Sequence, residues 1–198
     1  LVVSEAVDRH SSLDPRSPFV LDTHELGRRP GSMRTLRETV PAPEDLGTAV
    51  IGFPEGTELD LDLRLEAVME GVLVSGTVSG RAVGECVRCL DEVLEDVEVP
   101  FTELFAYPER AQALREEGDD EEDQHVLEGD LADLEPVLRD SVVPALPFGP
   151  LCDPDCPGLC SECGARLAED PDHAHESIDP RWGALRALAE TQDETKES

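Results

Sequence analysis

The chain has 198 residues, and 46 acids against 16 bases give it a formal net charge of −30. Such a field repels phosphate, which excludes broad electrostatic binding to nucleic acid and confines any contact of that kind to a local patch. Hydrophobic residues at 39% and aromatics at 4% suit one core with a small appended module, and no apolar run approaches the length of a membrane-spanning helix.

Residues 1–17 are polar and aperiodic, which predicts a disordered N-terminal arm. The opening LVVSEAVDRH has no basic, apolar and small-residue regions of an export signal, so the expected location is cytoplasmic. An α+β domain is expected over 18–149. FVLDTHELGRRPG begins it with an apolar segment and a turn, Asp22 or Thr23 capping one helical turn around Leu26. RRPGSMRTLR, residues 28–37, then carries Arg28, Arg29, Arg34 and Arg37 and no acid. This is the one basic patch: either a site that grips RNA phosphate or a partner, or an arginine-rich surface turn.

ELDLDLRLEAVM alternates, placing Leu59, Leu61, Leu63, Leu65, Ala67 and Met69 on one face of a strand, and Gly71 marks a turn. VLVSGTVSGRAVGE continues as a strand whose glycines predict bulges or close backbone approach. DEVLEDVEVPF alternates again through Val93, Val97, Val99 and Phe101. Strands so closely connected predict an antiparallel meander or a partly closed barrel, because parallel strands need long crossovers. PERAQALREE reads as a short exposed helix. EEGDDEED, 116–123, lies in a solvated acidic loop near 116–124, a candidate lure for basic partners. DLADLEPVLRDSVVPALPF supplies the main packing helix. Asp133 is its expected N-cap, Pro136 sits in its first turn, Leu134, Val137, Leu138, Val142 and Val143 form its apolar face, and Pro144 and Pro147 end it. A cysteine-rich module with a terminal helix, DPRWGALRAL, is expected over 150–190, with Trp182, Leu185 and Leu188 packing back, and a disordered tail over 191–198.

CDPDCPGLCSECG, 152–164, holds four of six cysteines. In a reducing compartment clustered thiols bind metal more often than they form bridges. C-x-x-C in a tight turn aims two sulfurs at one ion, and a following Gly allows positive φ. A redox couple would open a helix in a βαβ unit, a setting neither C-x-x-C pair has. The favoured reading is one closed structural zinc site at Cys152, Cys156, Cys160 and Cys163. Cys86, Cys89, His173 and His175 could form a second or shared site, and the number of zinc ions, one or two, stays open. No phosphate-binding loop, dinucleotide fingerprint or nucleophile elbow is present.

Taken in order, LGRRPGS, the alternating strands, C-V-R-C-L, VPALPF, PLCDPDCPGLCSECGARL and IDPRW resemble the YceD family, over roughly residues 19 to 190. The likeness is to a cysteine-rich bacterial branch whose members often carry C-x-C where this chain has His173-Ala-His175. The resemblance implies support of large-subunit ribosomal RNA processing or accumulation beside a ribosomal protein. The expectation is therefore a non-enzymatic ribosome-biogenesis factor with structural zinc. Its partners would be a basic ribosomal protein or precursor of the large-subunit RNA, with no membrane and no small-molecule substrate. The alternatives are an RNA-processing hydrolase and a thiol-based redox sensor.

Overall fold

The computed structural model describes residues 12–117 and 124–175. The terminal-helix expectation with Trp182, Leu185 and Leu188, the tail, residues 118–123 of the acidic run and residues 1–11 of the arm lie outside the described residues. The chain separates into two compact units, Leu1–Pro154 and Asp155–Ser198.

In the first unit the central strand is β6, Gly71–Glu85. Along one edge it pairs over its full length with β7, Glu92–Ala106, from Gly71↔Ala106 to Glu85↔Glu92. Its other edge is shared in tandem. β5, Glu58–Ala67, takes Val72–Gly80, and β4, Ile51–Phe53, takes Val83 and Gly84. β2, Met33–Pro41, pairs with β5, and β3, Leu46–Gly47, pairs with β4. All of these pairings are antiparallel, and β2 and β7 do not meet, so the sheet is open and not a closed barrel. β1, Val20–Asp22, pairs with β8, Leu131–Asp133, in a separate two-stranded sheet.

β5 realises the alternation of its sequence. Leu59, Leu61, Leu63, Leu65 and Ala67 are buried on one face while Asp60 and Asp62 stay exposed. Burying each leucine is worth roughly 1.5–3 kcal/mol, which makes a one-residue register slip prohibitive. Met69, expected on the same face, is 81% exposed. The strand ends at Ala67, and the Val68 N–H donates to the Gly71 carbonyl at 2.9 Å. Met69 therefore sits at the tip of a turn, where period two no longer applies. The glycines of β6 serve close approach: its register with β7 is continuous, and a Cβ at Gly84 would lie 2.5 Å from the Val50 carbonyl oxygen.

Helix α1 spans Pro108–Glu117, and α2, Glu135–Ala145, packs on β7 and β3 through a face that buries Val137, Leu138 and Val142. Asp133 ends β8 and is not the N-cap; that position belongs to Leu134. Its carboxylate nevertheless accepts the Glu135 N–H at 3.1 Å, satisfying one orphan donor of the first turn. Pro144 lies within the last turn, and Leu146, extended at ψ 144°, shows the conformation that a following proline imposes. Arg139 fixes α2 to the loop before β3, donating to the Glu44 and Asp45 carbonyls at 2.6 and 3.0 Å. Thr23 precedes a 3-10 turn, His24–Leu26, and its hydroxyl donates to the Asp130 carbonyl instead of capping that turn. Among the described residues no helix is long and apolar enough to cross a membrane.

Candidate metal centres

The turn joining β6 to β7 is the first C-x-x-C. The Cys86 N–H donates to the Asp91 carbonyl at 2.7 Å and the Leu90 N–H to the Cys86 carbonyl at 2.9 Å, which folds the backbone tightly around the two sulfurs. The chain after α2 runs beside this turn. The Val87 N–H donates to Pro150 at 3.0 Å, Arg88 donates to the Pro154 carbonyl at 3.4 Å, and the Cys89 and Cys152 sulfurs lie 3.4 Å apart. Cys86, Cys89, Cys152 and Cys156 each offer one sulfur, all within 4.8 Å of one another. The Cys86 thiol is pulled down to about 6, foremost by the Cys152 backbone N–H and then by those of Arg88 and Cys89, against the opposing effect of burial.

The second unit repeats the turn. The Gly164 N–H donates to the Cys160 carbonyl at 2.8 Å, the Cys160 N–H to the Ala165 carbonyl at 2.8 Å, and the Leu167 N–H to the Gly158 carbonyl at 3.1 Å. A second turn, closed by the His173 N–H on the Asp170 carbonyl at 3.1 Å, returns two imidazoles to the sulfurs. Cys163 Sγ lies 3.2 Å from His173 Nε2 and 3.1 Å from His175 Nε2, and the two Nε2 atoms are 2.8 Å apart. With Cys160 they form the other set whose ligand atoms lie within 4.8 Å of one another. Each imidazole turns its Nδ1 toward a carboxylate, Asp170 for His173 and Glu162 for His175, both at 3.7 Å. Carboxylates on the Nδ1 side leave Nε2 of each ring as the atom that faces the sulfurs. The Cys160 thiol is likewise lowered to about 6, first by the Glu162 and then by the Cys163 backbone N–H.

The eight donors thus divide by fold, not by nearness in sequence, and the set Cys152, Cys156, Cys160 and Cys163 is not brought together. The reason lies in the turns. Each C-x-x-C presents two sulfurs to one side, so a four-donor site would take its two further donors from that side. The β6–β7 turn meets them in the 152–156 loop, whereas the reversal over 158–167 faces the histidines.

A family model described as "Large ribosomal RNA subunit accumulation protein YceD" matches residues 74–189. The chain belongs to the YceD family. An uncharacterized protein of Mycobacterium tuberculosis (strain ATCC 25618 / H37Rv) is 48% identical over 179 residues, 90% of this chain and 85% of its own. One of Mycobacterium leprae (strain TN) is 46% identical over 169 residues, 85% and 76% of the two chains. More distant is the uncharacterized protein YlbN of Bacillus subtilis (strain 168), 25% identical over 126 residues, 60% of this chain and 67% of its own. No solved structure matches.

All eight donors fall inside the region matched by the YceD model, 74–189, and Arg28 to Arg37 fall outside it. The donor chemistry suits a divalent ion of zinc type. A tetrahedron with Zn–S near 2.3 Å and Zn–N near 2.0 Å has edges of about 3.3–3.8 Å, and the contacts of 2.8–3.4 Å are shorter than or at the lower end of that range, so each set closes on an ion with a small outward shift of the donors. No cysteine is in a disulfide. Either set could hold a metal ion.

The structure does not assemble the arginines into an open cationic patch. Only Arg28 and Arg29 lie in the turn; Arg34 and Arg37 stand on β2. Arg28 lies 3.3 Å from Glu109, with its guanidinium 4.7 Å above the Tyr107 ring. Arg34 pairs with Glu25 at 3.3 Å and Arg37 with Asp62 at 2.9 Å. Among the described residues no ion pair involves Arg29. Glu162 and Asp170 went unnoticed at the level of sequence; the one signal was their place beside Cys163 and three residues before His173.

Proposed function

We propose that this chain is a non-enzymatic ribosome-biogenesis factor that supports processing or accumulation of large-subunit ribosomal RNA, acting through a basic ribosomal protein. Membership of a family named for that accumulation carries the reading. In this reading zinc is structural, one ion held by Cys86, Cys89, Cys152 and Cys156 and the other by Cys160, Cys163, His173 and His175. Four protein donors per ion complete a tetrahedron, the pattern of structural sites, whereas catalytic zinc keeps a position for water. Of the four candidate phosphate-binding arginines, Arg28, Arg34 and Arg37 are engaged with carboxylates, and a net charge of −30 favours a basic protein over free RNA.

The test is depletion of the protein in cells, with gradient fractionation of ribosomal particles and sizing of the large-subunit RNA. The expected outcome is fewer mature large subunits, accumulated precursor and co-sedimentation of the tagged protein with large-subunit precursors. Normal large-subunit RNA with the protein confined to the top of the gradient would refute the reading.

A further inference from the structure

We propose that the cysteine-turn end of the β6–β7 hairpin is a docking surface for a protein segment that presents an apolar side chain flanked by lysines or arginines. The proposal rests on the basic-partner reading above and gives it a location.

Seven large apolar side chains are exposed among the described residues, and five of them gather here. Val87, Leu90 and Phe148 are 48%, 60% and 86% exposed. Val87 and Leu90 belong to the turn itself. Phe148 precedes Gly149 and Pro150, which lie against Val87: its N–H donates to the Pro150 carbonyl, and a Cβ at Gly149 would be 3.7 Å from Val87 Cγ2. Val50 adjoins through its carbonyl, which accepts the Glu85 N–H at 3.1 Å, and Leu94 through its pairing with Val83 near the end of β6. The other two, Met33 and Met69, belong to the opposite end of β6, where Met69 occupies the turn before Gly71 and Met33 pairs with Glu66. An apolar cluster left open at one end of a sheet marks an interaction site, while scattered exposed residues do not.

Leu90 adds an independent observation. Its φ is +63°, and the equivalent position in the other C-x-x-C turn is Gly164 at +74°. Both residues donate their N–H to the carbonyl of the first cysteine of their turn. Glycine adopts this conformation freely, whereas a residue with a Cβ is strained in it. Leu90 is both strained and largely exposed, so little burial within the chain offsets the strain. Strain held at an exposed apolar residue points to a contact made with another molecule.

Charge selects the occupant. Glu85 and Glu92 are exposed and directly opposite each other in the last β6–β7 pair. Like charges so placed destabilise a ladder, and a cation lying across them relieves the repulsion. The one base of the turn, Arg88, is directed to the Pro154 carbonyl. The same field disfavours RNA.

The zinc-loaded full chain would be titrated by fluorescence anisotropy against four labelled probes: the peptides KRKLFKRK, KRKSSKRK and ERELFERE, and a uridine oligonucleotide. KRKLFKRK should bind at least about fivefold tighter than each control. L90G and F148S should each weaken that binding by a similar factor. L90G should melt no lower than the parent, which separates lost contact from lost fold. Equal binding of KRKSSKRK, binding unchanged in both variants, or oligonucleotide binding that needs Leu90 or Phe148 would overturn the proposal. Gradient sedimentation separates it from the parent reading. If the wild type and an L90G/F148S double variant co-sediment equally with large-subunit precursors, the docking surface is wrong and the biogenesis role stands. If the wild type does not co-sediment, that role fails, while the peptide titration still decides the surface.

Discussion

Replacing one donor at a time tests the division of the eight donors into two sets. Within each set the ligand atoms lie within 4.8 Å of one another, a spread that contracts to the tetrahedral edges of about 3.3–3.8 Å around a zinc ion by small side-chain movements. The parent should carry two equivalents of zinc, and C86S and C163S one each. The double variants discriminate most. C86S/C152S damages a single set and should still hold one equivalent, whereas C152S/C160S damages both and should hold none. A single site at Cys152, Cys156, Cys160 and Cys163 predicts instead that C86S changes nothing and that C152S and C160S remove the same ion. Structural zinc contributes about 10–16 kcal/mol of apparent binding free energy in small folded modules, so losing one donor should release the ion at micromolar chelator. Native mass spectrometry of reduced protein, backed by elemental analysis, counts the ions. Zero equivalents in C86S/C152S, or two in C86S, would refute the partition.

Two further outcomes follow from the first unit and from the thiols. The Tyr107 hydroxyl is buried and has no hydrogen-bond partner among the described residues, and an unsatisfied buried polar group costs about 1–3 kcal/mol; Tyr107→Phe should leave stability to urea unchanged or raise it by about 1 kcal/mol, and a clear loss would reveal a partner for that hydroxyl. Cys86 and Cys160 are lowered from 9.0 to about 6, so between those values the unfolded chain binds more protons than the folded one and stability rises with pH. Metal-stripped, reduced protein should therefore have a higher denaturation midpoint at pH 9 than at pH 6, and C86S/C160S should flatten the profile; a midpoint that falls with rising pH would remove the hydrogen-bonded thiolates from the account.

Much of the sheet was legible because a half-buried strand writes its register into the sequence. The five alternating apolar residues of β5 match their burial one for one. Legibility failed where a partner distant in sequence decided the structure. Leu131–Asp133 reads as the start of a helix, yet it pairs with Val20–Asp22 across more than a hundred residues, and no local pattern encodes that pairing. Arg34 and Arg37 read as part of a surface turn because Gly31 follows Pro30. The strand that carries them is defined by β5, and Asp62, one of their pairing residues, lies on its solvent face.

The candidate metal centres show the same limit in sharper form. Residue types and the C-x-x-C spacing identified all eight candidate donors, because sulfur and imidazole chemistry is local to the side chain. Assigning them to ions needed the path of the backbone: Cys156 and Cys160 are separated by three residues and fall in different sets, while Cys89 and Cys152 are 63 apart and their sulfurs lie 3.4 Å from one another. Sequence proximity misleads here because a C-x-x-C turn commits two donors to one side, so a neighbouring cysteine on the far side of a reversal is unreachable. Two turns with the same hydrogen bond and the same left-handed residue solve one geometric problem, and the turn that uses leucine does so at a conformational cost that metal binding does not require.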